Sequence, residues 1–402
     1  MSTKIIYLST FLPRDTKNYY ASKMHNYNFN SADAFSFSVF SGLSKITDIN
    51  LSVVNVPPLG AFPRFNSLFY SSACYEKVQG INIHSIANCN LIAYQYYSVY
   101  RNTLKTLKNV VNASDENCFV VYSINVPVLK AVINYRKNYA PRSKIVLIIP
   151  DLIEDTMADT FNTKVKKMLF GNIENFYKEM NGFVFLTEQM NERVKTEKPY
   201  CIVEGIYNSS EDRKIIAKNN EVKTIFYSGM LYEKFGVKKL LDAFRSLKNP
   251  NYRLQICGCG ELEECIRESA LIDKRIQFLG LIDRKKALEL QSMASLLVNP
   301  RTPEGGDFTK YSFPSKDIEY LVSGTPTLIY QLPGIPTEYY DYCYSLGPNE
   351  LSVEDLGKKI NEILSLPDSI NEAIGQSARD FIIEKKNDKV QAEKIIKLIS
   401  NL

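Results

Sequence analysis

Thirteen short runs of β-branched and aromatic residues recur along this 402-residue chain, each followed by a longer stretch of helical periodicity. Strands that return through helices pair in parallel, so the alternation predicts open α/β sheets covered by helices on both faces. Seven runs form a first series, at 4–9, 49–56, 81–86, 118–124, 144–149, 182–186 and 200–203. Six form a second, at 224–227, 252–257, 275–279, 295–298, 325–329 and 342–346. Between them Gly205 and the polar Asn208, Ser209 and Ser210 read as a crossover. The pattern therefore gives an α/β chain of two tandem, doubly wound, Rossmann-like domains over 1–207 and 208–380. Phe381, Ile382, Val390, Ile395, Ile396 and Ile399 lie at mainly helical spacing, so 381–402 reads as a terminal helix that packs back on the first domain.

The apolar share of 45% and the charged share of 23% are those of ordinary globular domains and exclude a disordered, collagen-like or coiled-coil chain. No apolar run approaches the roughly 20 residues that span a bilayer, and the stretch 5–8 is too short for a signal peptide, so a cytoplasmic protein is expected. Eight cysteines are too sparse for a disulfide scaffold. Cys257 and Cys259 have no second Cys or His pair at zinc spacing, so no metal site is expected. With only His25 and His84, a histidine-based mechanism has few candidates.

The net charge of +5 is uneven: residues 1–210 hold 22 Lys+Arg against 16 Asp+Glu, and the remainder 27 against 28. Arg101, Lys105 and Lys108, and Lys164, Lys166 and Lys167, read first as solvated helix faces. Peripheral contact with an anionic membrane surface or phosphate groups is the alternative. The excess is too small for a nucleic-acid partner.

The chemistry concentrates in 313–326, Phe-Pro-Ser-Lys-Asp-Ile-Glu-Tyr-Leu-Val-Ser-Gly-Thr-Pro. It reads as a loop, a short helix with Pro314 near its start, a stop at Gly324, then a strand. Such a helix start offers amides to phosphate, Lys316 adds a formal charge, and Glu319 supplies a carboxylate for a ribose hydroxyl pair. A long stretch without a clear element, 11–31, carries Tyr19, Tyr20, His25, Tyr27 and Phe29, which could stack on sugar rings or pack the loop down.

The 313–326 segment resembles the nucleotide-sugar site of GT-B glycosyltransferases, particularly the large retaining family 4. Neighbouring pieces follow in that family's order: Phe226-Tyr227-Ser228-Gly229-Met230-Leu231-Tyr232-Glu233-Lys234-Phe235-Gly236-Val237, then Gly258-Cys259-Gly260-Glu261, and Ala294-Ser295-Leu296-Leu297-Val298-Asn299-Pro300-Arg301. The match is close over about 140 residues of the second half. It implies an acceptor-binding first domain, a donor-binding second domain and a cleft between them. Gly229 would admit the phosphates, Lys234 would neutralise the diphosphate, Glu319 would hold the ribose, and Phe313, Pro314, Ser315 and Lys316 would supply backbone amides. Transfer in such folds uses no metal, lysine and helix-end dipoles stabilising the departing nucleoside diphosphate.

Three departures accompany the resemblance. Met230 stands where many members have arginine, with Arg301 the candidate replacement. Tyr311 stands at the place of a second glutamate, with Glu304 or Asp307 as substitutes, and Asp151 stands in for an acceptor-side histidine. The resulting expectation is a metal-independent, retaining transferase. It would move a hexose-type residue from a nucleoside diphosphate sugar, UDP favoured over GDP, to a glycan or lipid-linked saccharide. The alternatives are a non-catalytic partner subunit that binds glycan or a sister transferase, and a nucleotide-sugar epimerase. A dinucleotide oxidoreductase is disfavoured, because Gly258 and Gly260 lack the third glycine of that fingerprint.

Overall fold

The computed structural model describes residues 4–12, 20, 22–23, 31–70, 76–112, 116–152, 173–210 and 221–402. Tyr19, His25, Tyr27, Phe29, Lys164, Lys166 and Lys167 lie outside the described residues. The chain divides into two compact units, Met1–Asn208 with Asp388–Leu402, and Ser209–Asn387.

The first unit carries strands β1 (Lys4–Ser9), β2 (Asn50–Asn55), β3 (Phe69–Tyr70), β4 (Glu76–Val78), β5 (Ile81–Ser85), β6 (Asn88–Cys89), β7 (Asn117–Tyr122), β8 (Lys144–Ile149), β9 (Gly182–Phe185) and β10 (Tyr200–Ile202). Its main sheet runs β10-β9-β8-β7-β1-β2-β5-β4, parallel throughout except for β4 at the edge. The reversal of order falls between β1 and β7. Every residue of β7 is buried, as is all of β8 after Lys144, which is why these strands read as unbroken apolar runs. All seven strands expected from the pattern are present. The short antiparallel pieces β3, β4 and β6 were not expected, because two or three residues cannot display an alternation.

Tyr20 packs inward with Leu12, Leu59, Phe65 and Tyr70. Helices α1 (Ser31–Ser44) and α2 (Ile92–Val110) belong to this unit.

The second unit holds β11 (Lys223–Met230), β12 (Tyr252–Cys259), β13 (Ile276–Gly280), β14 (Leu296–Asn299), β15 (Thr327–Tyr330) and β16 (Tyr344–Leu346), paired in parallel as β13-β12-β11-β14-β15-β16. Helices α3 (Arg284–Met293), α4 (Ser315–Leu321) and α5 (Asp368–Lys385) belong to it.

The C-terminal segment differs from the single helix read over 381–402. One helix, α5, ends at Lys385, and a second, α6 (Asp388–Ser400), follows. The break has a side-chain cause. Lys386 is 3% exposed and pairs with Glu338 at 2.5 Å inside the second unit. Two residues on, Asp388 is fully buried in the first unit, accepting from Ser41 Oγ and Lys45 Nζ at 2.6 Å each, while its amide donates to the Tyr207 carbonyl. Contact of α6 with α1 is close: a Cβ on Gly42 would lie 2.0 Å from the Asp388 carbonyl oxygen.

Candidate active site

Strand order in the second sheet reverses between β11 and β14, and open α/β sheets receive ligands beyond the C-terminal ends of such strands. Those ends are Ser228-Gly229-Met230 and Asn299, the latter leading into Pro300 and Arg301. The helix α4 is tied to them by side chains. Its fully buried Tyr320 accepts from the Ser228 amide at 2.9 Å through the phenol oxygen. From α3, the buried Gln291 donates to Glu319 Oε1 at 2.7 Å and to Ser228 Oγ at 3.3 Å. The Arg284 guanidinium lies 3.5 Å from Glu319 Oε2, so this carboxylate is fixed in direction while a quarter of its side chain stays exposed.

Lys316 lies across Gly229. A Cβ built there would fall 2.6 Å from Lys316 Cε, 3.0 Å from its Nζ and 2.7 Å from the Tyr227 hydroxyl, so the position admits glycine because of close approach. Burial lowers the pKa of the Lys316 ammonium, and Glu319, Cys257 and Asp317 work against that shift. Behind Gly229, β12 abuts the same backbone: Gly258 has φ +140°, and a Cβ there would sit 1.7 Å from the Gly229 carbonyl oxygen. The Gly258-x-Gly260 pair thus serves strand contact.

Beneath the start of α4 lies a buried polar cluster. Asp317 is completely buried and accepts from Asn299 Nδ2 at 2.7 Å, while its Oδ2 has no hydrogen-bond partner among the described residues. Burial raises its pKa from the ordinary 3.8 to about 7, against the pull of Asn299, Arg301 and Lys316. Arg301 is 7% exposed and donates to Ser312 Oγ at 2.6 Å, its Nε without a hydrogen-bond partner among the described residues; burial brings its pKa down to about 10. Its guanidinium stacks 4.4 Å from the Phe308 ring centroid.

Lys234 is exposed on a short 3₁₀ turn, Glu233–Phe235. Its ammonium is ringed by aromatic faces, 5.4 Å from Phe235, 5.9 Å from Tyr232 and 6.0 Å from Phe308, which position a cation without neutralising it. The Phe308 ring is thus shared by the Lys234 and Arg301 cations.

The expected residues sort accordingly. Gly229, Lys316 and Glu319 share the end of β11. Lys234 and Arg301 both approach the Phe308 ring, Arg301 from a buried position. Phe313 and Pro314 are buried, Phe313 packing on Tyr339 at 5.3 Å, so that loop offers its backbone, and Ser315 is exposed at the start of α4. Tyr311 is buried; Glu304 is paired to Lys239 at 2.9 Å and Asp307 to Lys310 at 3.1 Å. Asp151 lies in the first unit, exposed just past β8, where its charge bears on the buried Tyr122. Among the described residues no group of three or more His, Cys, Asp or Glu is arranged to hold a metal ion. Gln291, Asn299 and Asp317 were not foreseen; the one hint was a polar residue on the apolar face of a helix or strand.

Residues 208–381 match the family model described as glycosyl transferases group 1. The chain also superposes along its length on sucrose-phosphate synthase from Thermosynechococcus elongatus, with a TM-score of 0.67 and 11% identity over 99% of this chain and 98% of that one. The second unit therefore carries a group 1 glycosyl transferase domain, and the chain as a whole has the fold of the GT-B glycosyltransferases. Further structures similar to this chain are the trehalose-6-phosphate protein from E. coli bound with UDP-2-fluoro glucose and Anabaena HepE in complex with UDP and glucose. The first has a TM-score of 0.65 and 10% identity over 100% and 99% of the two chains. The second has a TM-score of 0.59 and 10% identity over all of both chains. Among curated proteins, none is significantly similar in sequence to this chain.

Proposed function

We propose that the transferase moves a hexose-type residue from a nucleoside diphosphate sugar, UDP-linked in preference to GDP-linked, to a glycan or lipid-linked saccharide, with retention of configuration. One observation carries the reading: Lys316 crosses the bare backbone of Gly229, and on the same helix Glu319 is aimed by Gln291. A cation and a directed carboxylate one helical turn apart suit a phosphate at one end of a nucleotide and a ribose hydroxyl pair at the other. The UDP-containing relatives favour uridine.

In the reaction the bond from the anomeric carbon to the β-phosphate oxygen breaks, its electron pair leaving with the nucleoside diphosphate. An acceptor hydroxyl oxygen forms the new bond and passes its proton to the departing β-phosphate oxygen. The added negative charge on the leaving group is met by Lys234, held among aromatic rings, and by Lys316, with the first-turn amides of α4 adding oriented donors. Lys316 takes the place that Met230 leaves without a cation. No step in this scheme calls for a metal ion. The second unit is the donor domain in this reading and the first the acceptor domain, where Asp151 is the candidate acceptor-side carboxylate.

Isothermal titration with UDP and with GDP tests the assignment. Binding of UDP that weakens on Glu319→Ala and on Lys316→Met is expected. Absence of binding to either nucleotide, or binding unchanged by Glu319→Ala, would overturn it. A donor panel read by nucleotide release then identifies the sugar.

A further inference from the structure

The first unit presents a surface that the donor chemistry leaves unused. Its hub is Asn90, fully buried, whose side chain donates to the Gly60 carbonyl at 2.8 Å and the Ser67 carbonyl at 3.3 Å and accepts from Gln95 at 2.8 Å. Its backbone bonds Phe62 and Leu68, and the start of α2 follows directly. Around this rigid centre Phe62, Leu68, Phe69, Leu91, Tyr94 and Tyr97 are between 39% and 67% exposed. Scattered exposed apolar residues are ordinary; six large ones around one hub form a patch of the kind that covers an interaction site.

Along α2 the patch turns cationic. Tyr94, Tyr97, Arg101, Lys105 and Lys108 recur every three or four residues and are all exposed, which places them on one face. The opposite face, with Val99, Thr103 and Leu107, is buried. From Leu51 to Asn112 the sequence has one carboxylate, Glu76, against Arg64, Lys77, Arg101, Lys105 and Lys108. Cations alone would describe a solvated helix, and an apolar patch alone a protein interface. Both in one continuous stripe match a partner with an apolar interior beneath an anionic surface.

We propose that this face docks on an anionic lipid bilayer. The leucine and aromatic side chains enter the headgroup region, and Arg101, Lys105 and Lys108 meet the lipid phosphates. Among the described residues no helix is long and apolar enough to cross a membrane, so the contact lies on the surface. The proposal is independent of the nucleotide reading, and nucleotide binding in solution is expected to survive its loss.

Flotation of the full chain with vesicles of phosphatidylcholine alone, and with about one-third phosphatidylglycerol added, tests it. Recovery with the anionic vesicles and not with the neutral ones is expected. Neutralising two cations in an Arg101→Gln, Lys105→Gln variant should weaken partitioning about 25-fold, each charge contributing about fivefold. A Leu68→Ser, Phe69→Ser variant, with every charge in place, should weaken it about tenfold or more. All four positions are exposed, so circular dichroism and melting should match the parent. Equal recovery with both vesicle types, or charge variants that float like the parent, would overturn the proposal. So would anionic binding indifferent to Leu68 and Phe69, which marks a polyanion site, or capture of a soluble protein with no vesicle recovery.

Discussion

Substituting Asp317 by asparagine isolates the energetic role of the buried cluster under α4. The aspartate is completely buried, its Oδ1 accepts from Asn299 and its Oδ2 has no hydrogen-bond partner among the described residues. Because burial raises its pKa from 3.8 to about 7, the folded chain retains a proton that the unfolded chain releases. The stability this group contributes is therefore fully present below about pH 4, declines as pH rises through about 7, and is flat above. A shift of that size corresponds to about 4 kcal/mol as a ceiling, and to about half that with interior relaxation. Arg301, brought down to about 10, stays protonated across the range and adds no slope of its own. Asparagine keeps the shape and the acceptor for Asn299 but cannot ionise. Urea unfolding between pH 4 and pH 8 should therefore show wild type losing about 2–4 kcal/mol relative to Asp317→Asn, a difference in which the distant titrating groups cancel. Parallel pH profiles for the two proteins would refute the reasoning.

Further outcomes follow from the geometry. Gly229→Ala should displace Lys316 and weaken UDP binding at least about tenfold, as calorimetry would read, with the melting temperature moved by only a few degrees. Gly258→Ala, by contrast, meets backbone at 1.7 Å and should lower the melting temperature sharply. Lys234→Ala should cost about 1–3 kcal/mol of nucleotide affinity, the scale of one charge-assisted contact. Removing the buried carboxylate in Asp388→Ala should destabilise the first unit by about 2–3 kcal/mol in urea, because its partner Lys45 is 30% exposed and recovers part of its hydration.

The order of strands and helices was legible because it is written in local periodicity: each parallel strand is buried on both faces and shows as a continuous apolar run, β8 being the plainest case. Strand pieces of two or three residues leave no such trace, and the stop at Lys385 depends on Lys386 and Asp388 finding partners in different units. In the candidate site the spacing around Gly229, Lys234, Lys316 and Glu319 exposed the residues expected to meet a ligand. It did not expose what holds them.

Sequence by itself determined the α/β alternation, the division into two units near residue 208, and the short segment where charge and glycine converge, since all three are properties of neighbours along the chain. Only the tertiary structure decided that Lys316 lies over Gly229, that Gln291 aims Glu319, and that Asp317 and Arg301 are buried together. Those contacts join residues 16 to 87 positions apart, and a buried polar group reveals its role only through the partner that packing brings to it.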